Sequence, residues 1–290
     1  MNTILENENI KLEISNFGAE IQQIVNKKNT KNYLWNGDSK FWGRKSPILF
    51  PFVGALKNKE YSYNGKKYPM GQHGFARDME FNLIETNGKS VWYELKDNEQ
   101  TKPKYPFKFT LRVGYELEKN KVKVKWMVQN NDTKIMYFSI GAHPAFVLPV
   151  EKREECFIKF DNQNKLQNTA LENGLANPNN TINGEIITEN GYLKIEKDLF
   201  KHDALIFENN QIKEISLCLP DKTEFITVSF DSPLVGIWSP YKEKCPFVCI
   251  EPWYGRCDSI DFEGELKDRQ WQQELKAGET FDKEYEIEIK

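Results

Sequence analysis

Apolar and polar residues alternate along this chain in short runs from near one end to the other. Ile10-Lys11-Leu12-Glu13-Ile14 alternates, and so do Lys121 to Val128 and Glu224 to Phe230. Tyr285-Glu286-Ile287-Glu288-Ile289-Lys290 closes the series. Successive side chains of a strand point to opposite faces, so such a run puts one face on a core and the other toward water. Tyr63-Asn64-Gly65-Lys66 and Glu118-Lys119-Asn120-Lys121 lie between runs and predict tight hairpins. Phe247-Val248-Cys249-Ile250 is apolar at every position and reads as a buried strand. Long amphipathic helices are missing; the best candidate, Leu266 to Leu275, is short and ends at Ala277-Gly278. Many strands with few helices predict an all-β sandwich or barrel. No composition shift marks a linker, so residues 1–290 are expected to form a single domain. The Asn-, Gly- and Thr-rich stretch from Asp161 to Asn190 is expected to form loops on one face.

Composition narrows the partners. Hydrophobic residues make up 39% and charged residues 29%, an ordinary globular balance. The net charge is −3 and no long basic block occurs, which argues against nucleic acid and a polybasic membrane surface. The first residues carry no basic-then-apolar leader, and no apolar run approaches the roughly 20 residues that span a bilayer. A cytoplasmic location is therefore expected. The five cysteines, Cys156, Cys218, Cys245, Cys249 and Cys257, have no regular spacing and read as free thiols. Cys245 and Cys249 are four apart, with no neighbouring His or Cys pair to complete a zinc site.

Candidate chemistry gathers at three places. His73 lies in Gln72-His73-Gly74-Phe75-Ala76-Arg77, and His143 in Gly141-Ala142-His143-Pro144-Ala145-Phe146. His73 alone reads as readily as a structural histidine that pins a loop. Gly74 permits close backbone approach, and Arg77 is positioned to pair with a carboxylate. His143 follows the strand-like Met136 to Ile140 run, and Pro144 restricts its backbone to extended or turn geometry. Imidazole trades protons near neutral pH, so His143 is a candidate proton donor or, equally, a core histidine at a sheet rim. Glu251 directly follows the apolar 247–250 run. A carboxylate there has its pKa raised by desolvation unless well hydrogen-bonded, and a buried one without purpose is costly. An ion pair with Arg77 or Arg256 is the alternative. Of the aromatics near these motifs (Trp35, Trp42, Phe75, Trp238, Trp253 and Tyr254), one or two are expected to touch ligand and the rest to be core. Dinucleotide, phosphate-loop, zinc-protease and nucleophile-elbow motifs are absent.

Together with Ser46-Pro47-Ile48-Leu49-Phe50-Pro51 and Ile250-Glu251-Pro252-Trp253, these motifs resemble the aldose 1-epimerase (mutarotase) family, especially its bacterial LacX-like branch. The resemblance covers nearly the whole chain, and the order of the motifs makes it specific. It implies a large antiparallel β-supersandwich with few short helices and a carbohydrate cleft on one concave face. It also implies roles: Glu251 as general base, His143 as general acid, and His73 as the second histidine near the sugar ring oxygen. Asp203, in Lys201-His202-Asp203-Ala204, looks like the family's hydroxyl-binding aspartate, and Arg44 a substrate-binding arginine. Arg77 and Trp253 complete the expected binding side chains.

The expected activity is an isomerase that interconverts the α and β anomers of a hexose or hexose phosphate by ring opening and reclosure. It would need no cofactor or metal, only a small sugar partner, and would be a monomer or homodimer. An ionised Glu251 with a protonated His143 predicts rates falling on both the acid and alkaline sides. Two rival readings remain: a glycoside-acting enzyme using Glu251 with Asp203, and a non-catalytic carbohydrate-binding or sensing protein.

Overall fold

The computed structural model describes residues 2–161, 163–180 and 184–290. Its regular structure is almost entirely antiparallel strands, with 3-10 turns as the only helical segments among the described residues. The alternating runs become the predicted strands: Ile10–Ser15, Lys121–Asn130, Glu224–Phe230 and Thr280–Ile289. The Tyr63–Lys66 and Glu118–Lys121 hairpins close where expected, with Tyr63 opposite Lys66 and Glu118 opposite Lys121. No helix is long and apolar enough to cross a membrane.

Two large sheets carry the architecture. The nine-stranded sheet has Thr280–Ile289 and Lys121–Asn130 near its centre, flanked by Glu224–Phe230 on one side and Phe109–Glu118 on the other. The six-stranded sheet is centred on Phe247–Tyr254, with Leu234–Trp238 on one side and Ile140–Ala142 and Ala145–Val147 on the other. Val124, Trp126, Val228 and Ile287 of the first sheet share one core with Val235, Ile237, Val248 and Ile250 of the second. This is the layered sandwich of large sheets that the alternation and the family resemblance led us to expect.

The two sheets differ in what covers their outer faces. Lys121–Asn130 alternates strictly between buried and half-buried positions, and its outer lysines pair with Glu116, Glu118 and Glu286 at the water-facing surface. Phe247–Tyr254 is buried at all eight positions. Its Val248, Ile250 and Tyr254 face the shared core. Phe247, Cys249 and Trp253 belong to two smaller clusters on the opposite face, which also hold Trp35, Leu49, Ile206 and Leu234. Glu251 lies on that second face too.

The helix expected over Leu266 to Leu275 does not form. Leu266–Asp268 makes a single 3-10 turn, Arg269 is extended, and Trp271 adopts a left-handed φ of 62°. Gln273–Leu275 then pairs as a strand with Met136–Phe138. Arg269 is buried and needs partners. Its Nε donates to Asp258 Oδ1 at 2.7 Å and its Nη2 to the Arg256 carbonyl at 2.9 Å, bonds that a helical backbone would not allow it to reach. The Asp161–Asn190 stretch is loop-rich, with two small ladders, Lys165–Gln167 with Glu185–Ile187 and Leu171–Glu172 with Leu175–Ala176.

Candidate active site

A cleft of about 440 Å³ opens on the second face of the six-stranded sheet, a size suited to a small ligand. Every site residue expected from the sequence lines it: Arg44, His73, Arg77, His143, Asp203, Glu251 and Trp253. Larger hollows lie around Glu151–Glu155 and around Ile186–Thr188, but they hold no histidine and are edged by surface lysine and glutamate.

Strand register brings His143 to Glu251. Gly141 pairs with Trp253 and Ala145 with Cys249, so the antiparallel register runs through both short strands without a shift. His143, between them, therefore stands opposite Glu251 on the cleft face. Pro144 interrupts the ladder there, while its carbonyl still accepts the Ile250 N–H at 3.3 Å. His143 Nε2 lies 3.3 Å from Glu251 Oε2. The two atoms touch without the alignment of a hydrogen bond, and Oε2 has no hydrogen-bond partner. Gly236 flanks Glu251 on the other side. A Cβ at Gly236 would lie 2.3 Å from the Trp253 ring, so only glycine lets that indole lie across the sheet.

Burial dominates the electrostatics. Glu251 is 1% exposed and His143 7%. Burial, reinforced by Asp203, raises the Glu251 pKa well above the carboxylate range. Burial and the positive charge of Arg77 lower His143 to about 3. Both shifts favour the form of the pair in which Glu251 carries the proton and His143 is neutral. The ionised-glutamate and protonated-histidine form expected from sequence is the costlier of the two here, because neither group meets water. Neither Arg77 nor Arg256 pairs with Glu251: Arg256 pairs with Glu208 at 2.7 Å, and Arg77 lies 3.8 Å from Asp78.

His73 is fixed as a donor. Its Nδ1 accepts the Gly54 N–H at 3.1 Å and its own N–H donates to the Gly54 carbonyl at 2.9 Å. Nδ1 is thereby the acceptor, which leaves the hydrogen on Nε2. Burial, then His143, Arg77 and Arg44, hold its pKa well below the imidazole range, so the ring is neutral. The residue pays with a left-handed φ of 65°, and Gly74 after it runs so close to Phe50 that a Cβ would lie 2.3 Å from the Phe50 carbonyl oxygen. The close approach expected at Gly74 is thus present.

Arg44 and Arg77 line the same wall and share one carboxylate. Arg44 Nη2 donates to Asp78 Oδ1 at 2.8 Å, and Arg77 Nη2 donates to the Gln72 carbonyl at 2.7 Å. Arg77 Nε is buried with no hydrogen-bond partner. Burial and the neighbouring Arg44 lower Arg77 to about 10. Asp203, exposed at a left-handed φ of 77°, receives the Ala204 N–H and borders the cleft near Glu251.

Two aromatics prove closer to the chemistry than their sequence neighbourhoods indicate. Trp42 stacks on His143, with ring centroids 4.7 Å apart and planes 27° from parallel, and Trp238 meets the same imidazole edge-on at 5.5 Å. Trp42, Trp238 and Trp253 all line the cleft, whereas Trp35, Phe75 and Tyr254 are core. The only hint in the sequence was that Trp42 stands two positions before Arg44. Cys249, read from the sequence as a free thiol, also lies close to the pair. One ligand atom each from Cys249, His143 and Glu251 lie within 4.8 Å of one another, the one such mixed group among the described residues.

Comparisons with known proteins give the family and the fold. A family model described as aldose 1-epimerase matches residues 2–288. The chain is 30% identical over 297 residues to the plasmid LacX protein of Lactococcus lactis subsp. lactis, covering 98% of each. A solved galactose mutarotase related enzyme from Lactobacillus acidophilus superposes with a TM-score of 0.93 at 36% identity, over 100% of this chain and 97% of that one. A galactose mutarotase-like protein from Lactobacillus casei gives 0.91 at 31% identity over the full length of both.

Proposed function

Because the chain belongs to the aldose 1-epimerase family of isomerases, we propose that it interconverts the α and β anomers of a hexose or hexose phosphate in this cleft. The observation that carries the reading is the His143–Glu251 pair, held 3.3 Å apart on the cleft face beside the fixed donor His73.

The chemistry needs one proton taken and one given. Glu251 removes the proton of the anomeric hydroxyl while His143 protonates the ring oxygen, and the bond between C1 and the ring oxygen breaks. The open-chain aldehyde turns about C1–C2, and the reverse transfers close the ring on the other face. Glu251 carboxylate with His143 imidazolium is the required starting form. It differs from the neutral form by one proton moved across the gap between the facing atoms, so the cleft gains no net charge. Sugar hydroxyls entering the cleft supply the hydrogen bonds that stabilise the separated form. His73, neutral with its hydrogen on Nε2, donates to the sugar near the ring oxygen and takes no proton itself. Each transferring group contributes roughly 10²–10⁴-fold. The indoles of Trp42, Trp238 and Trp253 offer apolar faces to sugar C–H groups and exclude water.

Specificity belongs to the arginine wall and Asp203. Two guanidiniums share one carboxylate there, which supports an acceptor-rich group, a cluster of hydroxyls or a phosphate, at that end. Polarimetry of freshly dissolved α-galactose, α-glucose and their 6-phosphates tests the proposal. Catalysed approach to equilibrium is expected for at least one, and rates equal to buffer for all four would overturn it. Arg44→Ala is expected to weaken every substrate, a phosphorylated one most.

A further inference from the structure

We propose that Cys249, His143 and Glu251 form a binding site for a thiophilic divalent cation such as Zn²⁺ or Cd²⁺, occupied in competition with sugar. Cys249 and Glu251 are two positions apart on one face of the Phe247–Tyr254 strand, and His143 stands opposite Glu251. The sheet thus sets three different donor types side by side, with their ligand atoms within 4.8 Å. A tetrahedral zinc ion with bonds of about 2.0–2.3 Å separates its ligands by roughly 3.3–3.8 Å. The three atoms, within 4.8 Å of one another, would have to draw together by about 1 Å to reach that range.

The donor set selects the metal. Sulfur, imidazole nitrogen and one carboxylate oxygen suit zinc and its softer neighbours, not Mg²⁺ or Ca²⁺, which take oxygen shells. Charge balance favours the complex in so buried a place. A dication with one thiolate and one carboxylate sums to zero, so the loaded site would carry no net charge. Binding displaces the thiol proton and the single proton of the His143–Glu251 pair to the solvent. Glu251 Oε2 is already buried without a hydrogen-bond partner, and a bound cation would satisfy it. His143 and Glu251, which line the cleft, would serve both ligands, so cation and sugar would exclude each other. Cys249 does not line the cleft and has no part in the sugar chemistry, so it separates the two functions.

The test uses the whole protein. Co²⁺ is titrated into it as a spectroscopic stand-in, and the sulfur-to-cobalt charge-transfer band in the near ultraviolet is followed. The band is expected to appear at one equivalent, to vanish on adding Zn²⁺, and to be absent in Cys249→Ser and Cys249→Ala. Cys257→Ser is the control, since Cys257 is the thiol that lines the cleft, and it is expected to keep the band. Zn²⁺ is expected to inhibit anomer exchange in the wild type, and at least ten-fold more weakly in Cys249→Ser. That inhibition arm rests on the proposed reaction; the cobalt arm does not. A band without any anomer exchange would sink the reaction and leave the cation site standing. No band in the wild type, a band lost with Cys257 and kept without Cys249, or equal zinc inhibition in both proteins would overturn the cation site.

Discussion

The Lys121–Asn130 and Phe247–Tyr254 strands sit near the centres of the two large sheets, and each has one face in the shared core. Their other faces differ. The outer face of the first holds lysines paired with glutamates in water. The outer face of the second is covered again by side chains and holds a carboxylate that pairs with no lysine or arginine among the described residues, only with His143. A sheet face toward water tolerates charge because solvent screens it. A covered face does not, and a glutamate kept there marks a candidate functional site. The contrast says where to look in a fold of this kind: at the strand whose alternation disappears.

The largest effect expected from this contrast is at Glu251. Glu251→Gln is expected to lower the anomer exchange rate by roughly 10²–10⁴-fold. The same substitution is expected to cost no more than about 1–3 kcal/mol of stability, since Gln matches the neutral carboxyl in shape and adds one buried N–H that needs a partner. Saturation-transfer NMR and urea unfolding give the two numbers; a large loss of stability with the rate intact would erase the distinction between the faces. The neighbouring Ile250→Ala is expected to do the opposite. It empties a core position that is 0% exposed, and is expected to cost about 2–5 kcal/mol in urea unfolding. The folded fraction should keep far more activity than Glu251→Gln does.

Much of this was legible in the sequence, for physical reasons that can be named. Period-2 alternation located Ile10–Ser15, Lys121–Asn130, Glu224–Phe230 and Thr280–Ile289, because each has one wet face. The apolar run before Glu251 flagged the doubly covered strand. His73, His143 and Glu251 were each found by their neighbours, and the cleft gathers all three. Three things were not legible. The register that sets His143 opposite Glu251 requires knowing which strands pair. The proton's resting place depends on burial, which sequence gives only for Glu251. The 266–275 segment has helix-like spacing, but Arg269 is drawn inward to Asp258 and the segment is spent on a turn and a strand.

The pH dependence sharpens the contrast next. The active form of the pair holds one proton. With His143 lowered to about 3 and Glu251 raised well above its usual range, that form persists across neutrality. kcat/KM is therefore expected to have no acid limb near neutrality, holding level down to about pH 5, and to fall on the alkaline side as the pair loses its proton. These limbs are macroscopic properties of the pair. An acid limb centred near the ordinary imidazole value of about 6.5 would show that His143 is wet rather than buried. The smallest effect is expected on the wet face: Lys125→Ala breaks the pair with Glu116 and should cost under about 1 kcal/mol, with anomer exchange unchanged.

The central claim is that His143 and Glu251 act as one proton-exchanging unit because the sheet places them face to face. A double-mutant cycle on anomer exchange, with Glu251→Gln, His143→Asn and the pair together, tests it most directly. Groups that act as a unit are strongly non-additive. The double variant is expected to be no slower than the slower single variant, all three retaining native unfolding curves. Independent losses that multiply in the double variant, or a single variant at the wild-type rate, would contradict the claim.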